Sequence, residues 1–265
     1  MKRLILAAVL ATGLAGTAHA DDALKAAIAS KDRTPAFALR DSARHPYETL
    51  TFFGIKPTMT VVELIPGGGW YTEILAPYLH DKGKLIAAAE ALDSPDAGAK
   101  RSAEQLTKRL EARPAMFGKV QRGVFEPPRA YSYAAPNSVD MVVTFRNIHN
   151  WTGEGDDKVK EIFKSVHTAL KPGGVFGVVD HRLPAARPAN PDSGYLHEAA
   201  VIKMIESAGF KLVAKSEVNA NPKDTADHNK GVWSLPPVLA NKDVDREKYL
   251  AIGESDRITL KFVKK

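Results

Sequence analysis

"VVELIPGGGWYTEIL", residues 61–75, begins as an apolar run ending in Glu63-Leu64, passes through Gly67-Gly68-Gly69, and resumes as a helix-like pattern at Trp70. Glycines accept positive φ and let a ligand approach without meeting a Cβ. The start of the helix behind them offers free N–H groups. A glycine turn of this kind is weak evidence by itself, since turns without ligands use glycine too. The spacing is not that of a dinucleotide fingerprint, because Gly67-x-Gly69 is followed by Trp70, Tyr71 and Thr72, and no Gly-Lys-Ser/Thr ending marks a phosphate-binding P-loop.

Outward from this stretch the chain alternates. Strands are expected at 60–65, 84–89, 119–124, 139–144, 174–179, 210–217 and 257–263, with helices at 70–79, 96–111, 155–170 and 195–208. "VDMVVTF" and "VFGVVD" are apolar runs, as strands buried on both faces of a parallel sheet require. The pattern predicts an α/β fold with a doubly wound, mostly parallel seven-stranded sheet and helices on both faces. Residues 21–56 read as an N-terminal helical flank, with Pro35 near one helix start and Gly54 closing the last, and residues 57–265 as the α/β domain. Two loop-like stretches, 182–194 and 219–231, follow predicted strands at the edge where open α/β sheets bind ligands.

The first twenty residues read as an export signal. Lys2 and Arg3 precede an apolar run from Leu4 to about Leu14, too short to span a bilayer, and Ala18-His19-Ala20 is a cleavage pattern. The mature chain is expected to begin at Asp21, in the periplasm, with formal charge lowered from +6 to +4 by loss of Lys2 and Arg3. Charges are interspersed, so neither nucleic acid nor, after signal cleavage, a membrane is an expected partner. The absence of cysteine excludes disulfides, thiol nucleophiles and thiolate metal sites. A core of ordinary size must hold the fold together.

The residues from 63 to 69 resemble motif I of the class I S-adenosylmethionine (SAM)-dependent methyltransferases, an acid-x-Gly-x-Gly-x-Gly pattern in which Ile65 here replaces the first glycine. Further matches follow in family order: Glu90 after the second strand, Glu126 in "VFEPP" after the third, "NSVDMVVTFRNIHNW" (137–151) around the fourth, and "LKPGGVFGVVDHR" (170–182) around the fifth. The segment Arg40-Asp41-Ser42-Ala43-Arg44-His45-Pro46 is similar to one found in a group of exported bacterial methyltransferases. The resemblance covers about residues 40–265 and implies SAM as cofactor, with Glu63, Gly67, Gly68, Gly69, Tyr71, Glu90, Glu126 and Asn147 around it. Pro66 favours an extended Ile65, which would leave the close approach to the glycines. Trp70, Tyr71 and Trp151 are candidates to stack on a ligand.

Methyl transfer needs positioning, a desolvated pocket and sometimes a base. The fourth strand ends in "RNIHNW" and the fifth in Asp180-His181-Arg182, neighbouring ends at the ligand edge. His149 and His181 are the general-base candidates, since neutral imidazole works near physiological pH. Asp180 would orient His181 or accept a proton itself. Arg146 and Asn147 suit the pocket wall, and Arg44 could hold an anionic substrate group. No histidines stand at a short metal-ligand spacing, so no metal site is assigned, although His45, His149, Asp180 and His181 could meet across the fold. The sequence thus predicts an exported SAM-dependent methyltransferase acting on a small molecule. The alternative is a non-catalytic periplasmic ligand-binding protein on the same fold.

Overall fold

The computed structural model describes residues 22–265, so the expected export signal lies outside the described residues. The helical flank is α1 (22–28), α2 (Pro35–Ala38), α3 (Asp41–Arg44) and α4 (Pro46–Phe53). The first half of the sheet domain runs β1 (Thr60–Leu64), α5 (Thr72–Leu79), β2 (Lys84–Ala89), α6 (Ala97–Ala112), α7 (Pro114–Phe117), β3 (Gln121–Glu126) and β4 (Ala130–Ser132). The second half runs β5 (Val139–Phe145), α8 (Ile148–Trp151), α9 (Asp156–Ala169), β6 (Leu170–Leu183), β7 (Leu196–His197), α10 (Glu198–Glu206), β8 (Phe210–Ser216), α11 (Arg246–Ile252) and β9 (Arg257–Lys264).

The strands pair in the order β4-β3-β2-β1-β5-β6-β9-β8, with the short β7 beside β6. Pairings from β3 to β6 are parallel, and β9 runs antiparallel between β6 and β8. The seven expected strands are all present. The short β4 and β7 are additions that carry too few residues to show a period.

Strand alternation explains the two cores. Along β1, Val62 and Leu64 join a cluster with Val159, Ile162, Phe163 and Val166 of α9, one stripe of a helix at spacings of three and four. Val61 faces the other way and joins Ile74 and Leu75 of α5, Leu106 and Leu110 of α6, and Leu50 and Phe53 of α4. Each such aliphatic side chain removed from water contributes about 1.5–3 kcal/mol. The N-terminal flank is therefore built into the second core through α4. Asp96 starts α6 by accepting the Ala99 N–H at 2.7 Å, an ordinary N-cap.

Strand order reverses direction between β1's two neighbours, β2 on one side and β5 on the other. A crevice outside the carboxyl ends of β1 and β5 follows from that reversal. The loop at 65–71 and the turn at 146–150 face it.

Candidate functional site

The glycine loop is shaped as expected, except at Ile65. Gly67 and Gly69 have φ of 56° and 80°, conformations L side chains rarely adopt. A Cβ at Gly67 would meet nothing within 4 Å, so this glycine faces open space, whereas Gly68 backs onto Phe37 and Gly69 onto Arg109. Ile65 is not extended: its φ is 46°, left-handed, which for a β-branched residue costs about 1–2 kcal/mol. Its N–H still pairs with Ala88 O at 2.7 Å, continuing the β1–β2 ladder, and its side chain packs on the α9 face of the sheet. The turn directs the isoleucine side chain into that core, and the preference imposed by Pro66 is overridden.

Asn147 holds this turn from the neighbouring loop. Its Nδ2 donates to Leu64 O at 3.0 Å and to Thr144 Oγ1 at 3.1 Å, with Ile65 O at 3.4 Å. Asn147 is thereby a link between the two loops of the crevice.

The acids separate into three situations. Glu63 is buried beneath the loop, not beside it, and Thr72 Oγ1 donates to its Oε2 at 2.7 Å. Burial pushes its carboxyl up to about 7, against the opposing hydrogen bond from Thr72. Glu126 is saturated: Ala91 N–H, Ser94 Oγ and the Arg129 guanidinium all donate to it. The Arg129 hydrogen bonds lead in holding it at about 2, and the carboxylate fastens the 91–94 loop to the end of β3. Neither fits the expected direct contact with a cofactor. Glu90, just past β2, is half-buried and takes a hydrogen bond from Ser102 Oγ at 3.0 Å on one oxygen.

The aromatic candidates are engaged by the protein. Tyr71 is buried and stacks on Phe145 at 3.5 Å between centroids. Trp70 takes the guanidiniums of Arg33 and Arg44 over its ring, at 5.2 and 4.7 Å, and donates its indole N–H to Phe37 O. Trp151 packs on Phe125 and Phe163 in the α9 core. All three rings are buried in contacts with the protein, against the expectation of ligand stacking.

His149, Asp180 and His181 do meet, with ligand atoms all within 4.8 Å of one another. Asp180 is fully buried; its Oδ2 accepts the Ile148 N–H at 2.7 Å, and its Oδ1 the His181 N–H at 2.8 Å and His149 Nδ1 at 2.8 Å. Asp180 therefore orients His149, not His181. Against a carboxylate, His149 carries its proton on Nδ1 and leaves Nε2 as the acceptor. His181 Nδ1 lies 2.6 Å from Ser255 Oγ. Burial first, then His149 and the nearby arginines, hold His181 well below the usual histidine range, so it is neutral. His45 stands outside the cluster, capping α4 in a left-handed conformation.

A cavity of about 250 Å³ opens on these groups, lined by Arg146, His149, His181, Trp233, Glu254 and Ser255 among others. Its outer wall is the segment from Val232 to Val238, just past the loop expected at 219–231. That loop is tied to the other expected one: Arg187 pairs with Asp227 at 2.9 Å, and Gly231 lies against the Ser193 backbone, which leaves no room for a Cβ. Trp233, Glu254 and Ser255 were not legible as site residues, because no local motif marks them; the fold brings them back over the sheet edge from a distance. Their one sequence signal is position, close after a loop and before the last strand.

The chain matches no family model and no curated protein. Among solved structures it is similar to a SAM-dependent methyltransferase from Aquifex aeolicus, with a TM-score of 0.58 and 16% identity over 92% of this chain and 97% of that one. It is also similar to the cyclase SpnF, with a TM-score of 0.58 and 12% identity over 94% of each chain. Among the described residues no helix is long and apolar enough to cross a membrane. The chain has the Rossmann-like α/β fold of the SAM-dependent methyltransferases.

Proposed function

We propose that the protein is an exported SAM-dependent methyltransferase acting on a small molecule in the periplasm, with His149 as general base. The observation that carries this reading is the tie made by Asn147, which fixes the glycine loop directly beside the turn bearing His149. Gly67, open to space, and Glu90, at the end of β2, would hold the cofactor, with Gly68 and Gly69 shaping the loop. SAM would supply an electrophilic methyl group there.

The chain's own residues supply the remainder. His149 Nε2 takes the proton from the acceptor's hydroxyl or amine, and Asp180 stabilises the resulting imidazolium through Nδ1. His181, neutral and bound to Ser255, sets the floor of the pocket, its ring centre 5.0 Å from that of His149. Trp233 stands edge-on to His149 at 6.2 Å and covers it from solvent. The binding-protein reading stands second, because a braced imidazole that lines the cavity supplies a base that binding alone does not require.

Asp180 and its surroundings also argue against a cation in the cluster. Its oxygens already accept three N–H donors, and Arg44, Arg146 and Arg257 impose a positive field on His181. The direct test is SAM-dependent methylation across a panel of small hydroxyl- and amine-bearing acceptors, read as S-adenosylhomocysteine released. Turnover that His149→Gln removes supports the assignment. Turnover equal in the variant contradicts it.

A further inference from the structure

Next to the base, the pocket is built around an excess of positive charge. Glu254 accepts from Arg40 Nε at 2.6 Å, Arg44 Nε at 3.2 Å and Arg257 at 3.4 Å. Arg146 forms the pocket wall beside it, and among the described residues its guanidinium donates to no acceptor. Four guanidiniums thus share one carboxylate. The other acids nearby are committed: Asp180 to His149, and Asp256 to Arg182 at 2.8 Å. Arg44 Nη1 and Nη2, Arg40 Nη2 and Arg257 Nε are buried without a hydrogen-bond partner. Native proteins rarely leave such donors unpaired, because each costs about 1–3 kcal/mol or more when charged.

Burial, followed by Arg146, lowers Arg44 to about 9 against the pull of Glu254, and burial, followed by Arg257, lowers Arg146 to about 10. In both, burial leads, and a neighbouring arginine adds to it against the single carboxylate of Glu254. Backbone shape agrees: Arg146 sits at φ 63°, a left-handed turn fixed by its N–H to Val179 O at 2.7 Å. The fold accepts that cost where it sets a cation in the wall of the pocket.

We infer that the pocket takes an anionic acceptor, a small carboxylate or phosphate, whose charged group binds Arg146 while its nucleophile lies at His149. Only Arg146 reaches the cavity; Arg40, Arg44 and Arg257 stand behind Glu254 and set the field. The inference rests on the methyltransferase reading for the word acceptor, but the anion site itself does not. The same charge could serve a carboxylate carried by the cofactor, and the test separates the two sources.

The mature chain is titrated calorimetrically with para-hydroxybenzoate, its neutral amide para-hydroxybenzamide, and inorganic phosphate, each with and without saturating S-adenosylhomocysteine. The carboxylate should bind about tenfold or more tighter than the amide, a difference of about 1.4 kcal/mol. That preference should weaken with added salt and vanish in Arg146→Gln at unchanged thermal stability. Glu254→Gln, which removes the carboxylate these arginines share, should tighten phosphate binding even if it lowers stability. Anion binding that persists beside bound S-adenosylhomocysteine supports the acceptor site; mutual exclusion of the two overturns it in favour of the cofactor's carboxylate. Anion binding with no S-adenosylhomocysteine binding supports the anion site and removes the methyltransferase reading. Equal affinity for carboxylate and amide, or no heat with any probe, overturns the inference.

Discussion

His149 Nδ1 lies 2.8 Å from Asp180 Oδ1, so the proposed base, in the turn after β5, is braced from within the neighbouring parallel strand β6. The brace is itself immobile, because the Ile148 and His181 backbone N–H groups hold both of its oxygens. Asp180 therefore works through position. Removing it should misorient the imidazole.

His149→Gln is expected to lower turnover by about 10²–10⁴, the usual contribution of a positioned base, with cofactor affinity retained. Asp180→Asn should fall in the same direction. Steady-state kinetics set against cofactor titration checks both. A loss of cofactor binding equal to the loss of turnover would show that His149 shapes the cofactor site instead.

Ile65 already occupies the left-handed region and turns its side chain into the α9 core. Ile65→Gly should therefore change SAM affinity by no more than about threefold, under 1 kcal/mol. An increase of tenfold or more on calorimetry would mean that the side chain obstructs the cradle.

Gly67→Ala places a methyl group in open space at φ 56°. The backbone strain is expected to cost about 1–2 kcal/mol of stability. Cofactor affinity should fall more steeply, by about tenfold or more, because the added Cβ occupies the approach to the loop. Chemical denaturation and titration on the same variant separate the two effects; strain without loss of affinity would place the ligand elsewhere.

Burial raises Glu63 to about 7 from 4.5, so across that window the folded chain retains a proton that the unfolded chain releases. This stabilising contribution is complete below the unfolded value and disappears as pH rises through about 7. Glu63→Gln keeps a neutral group against Thr72. Its stability should be flatter with pH, and on the order of 1–3 kcal/mol above wild type near pH 8. Parallel stability curves for the two proteins would contradict the assignment.

Fold legibility followed from period and strand length. The β5 and β6 runs are apolar on both faces, and α9 carries its stripe at regular spacing, so these elements were expected within a few residues. What was legible of the candidate site is the meeting of His149, Asp180 and His181 and the nearness of Asn147 to the glycine loop, because these lie at or just past neighbouring strands. Tyr71, Trp151 and Glu126 were misread because a sequence does not say what already covers a ring or saturates a carboxylate. Ile65 was misread because a ladder bond to Ala88 and the clamp of Asn147 outweigh a local preference. The pocket's outer wall was invisible, since Trp233 and Glu254 reach His149 and Arg146 only through the path of the folded chain.

The most direct measurement is calorimetric titration of the protein with SAM and S-adenosylhomocysteine, repeated on Glu90→Ala. Micromolar binding, about 8 kcal/mol, reduced by an order of magnitude or more in the variant, is the predicted result. No heat from either ligand with a folded wild-type protein would contradict the account, leaving a methyltransferase fold whose pocket serves another molecule.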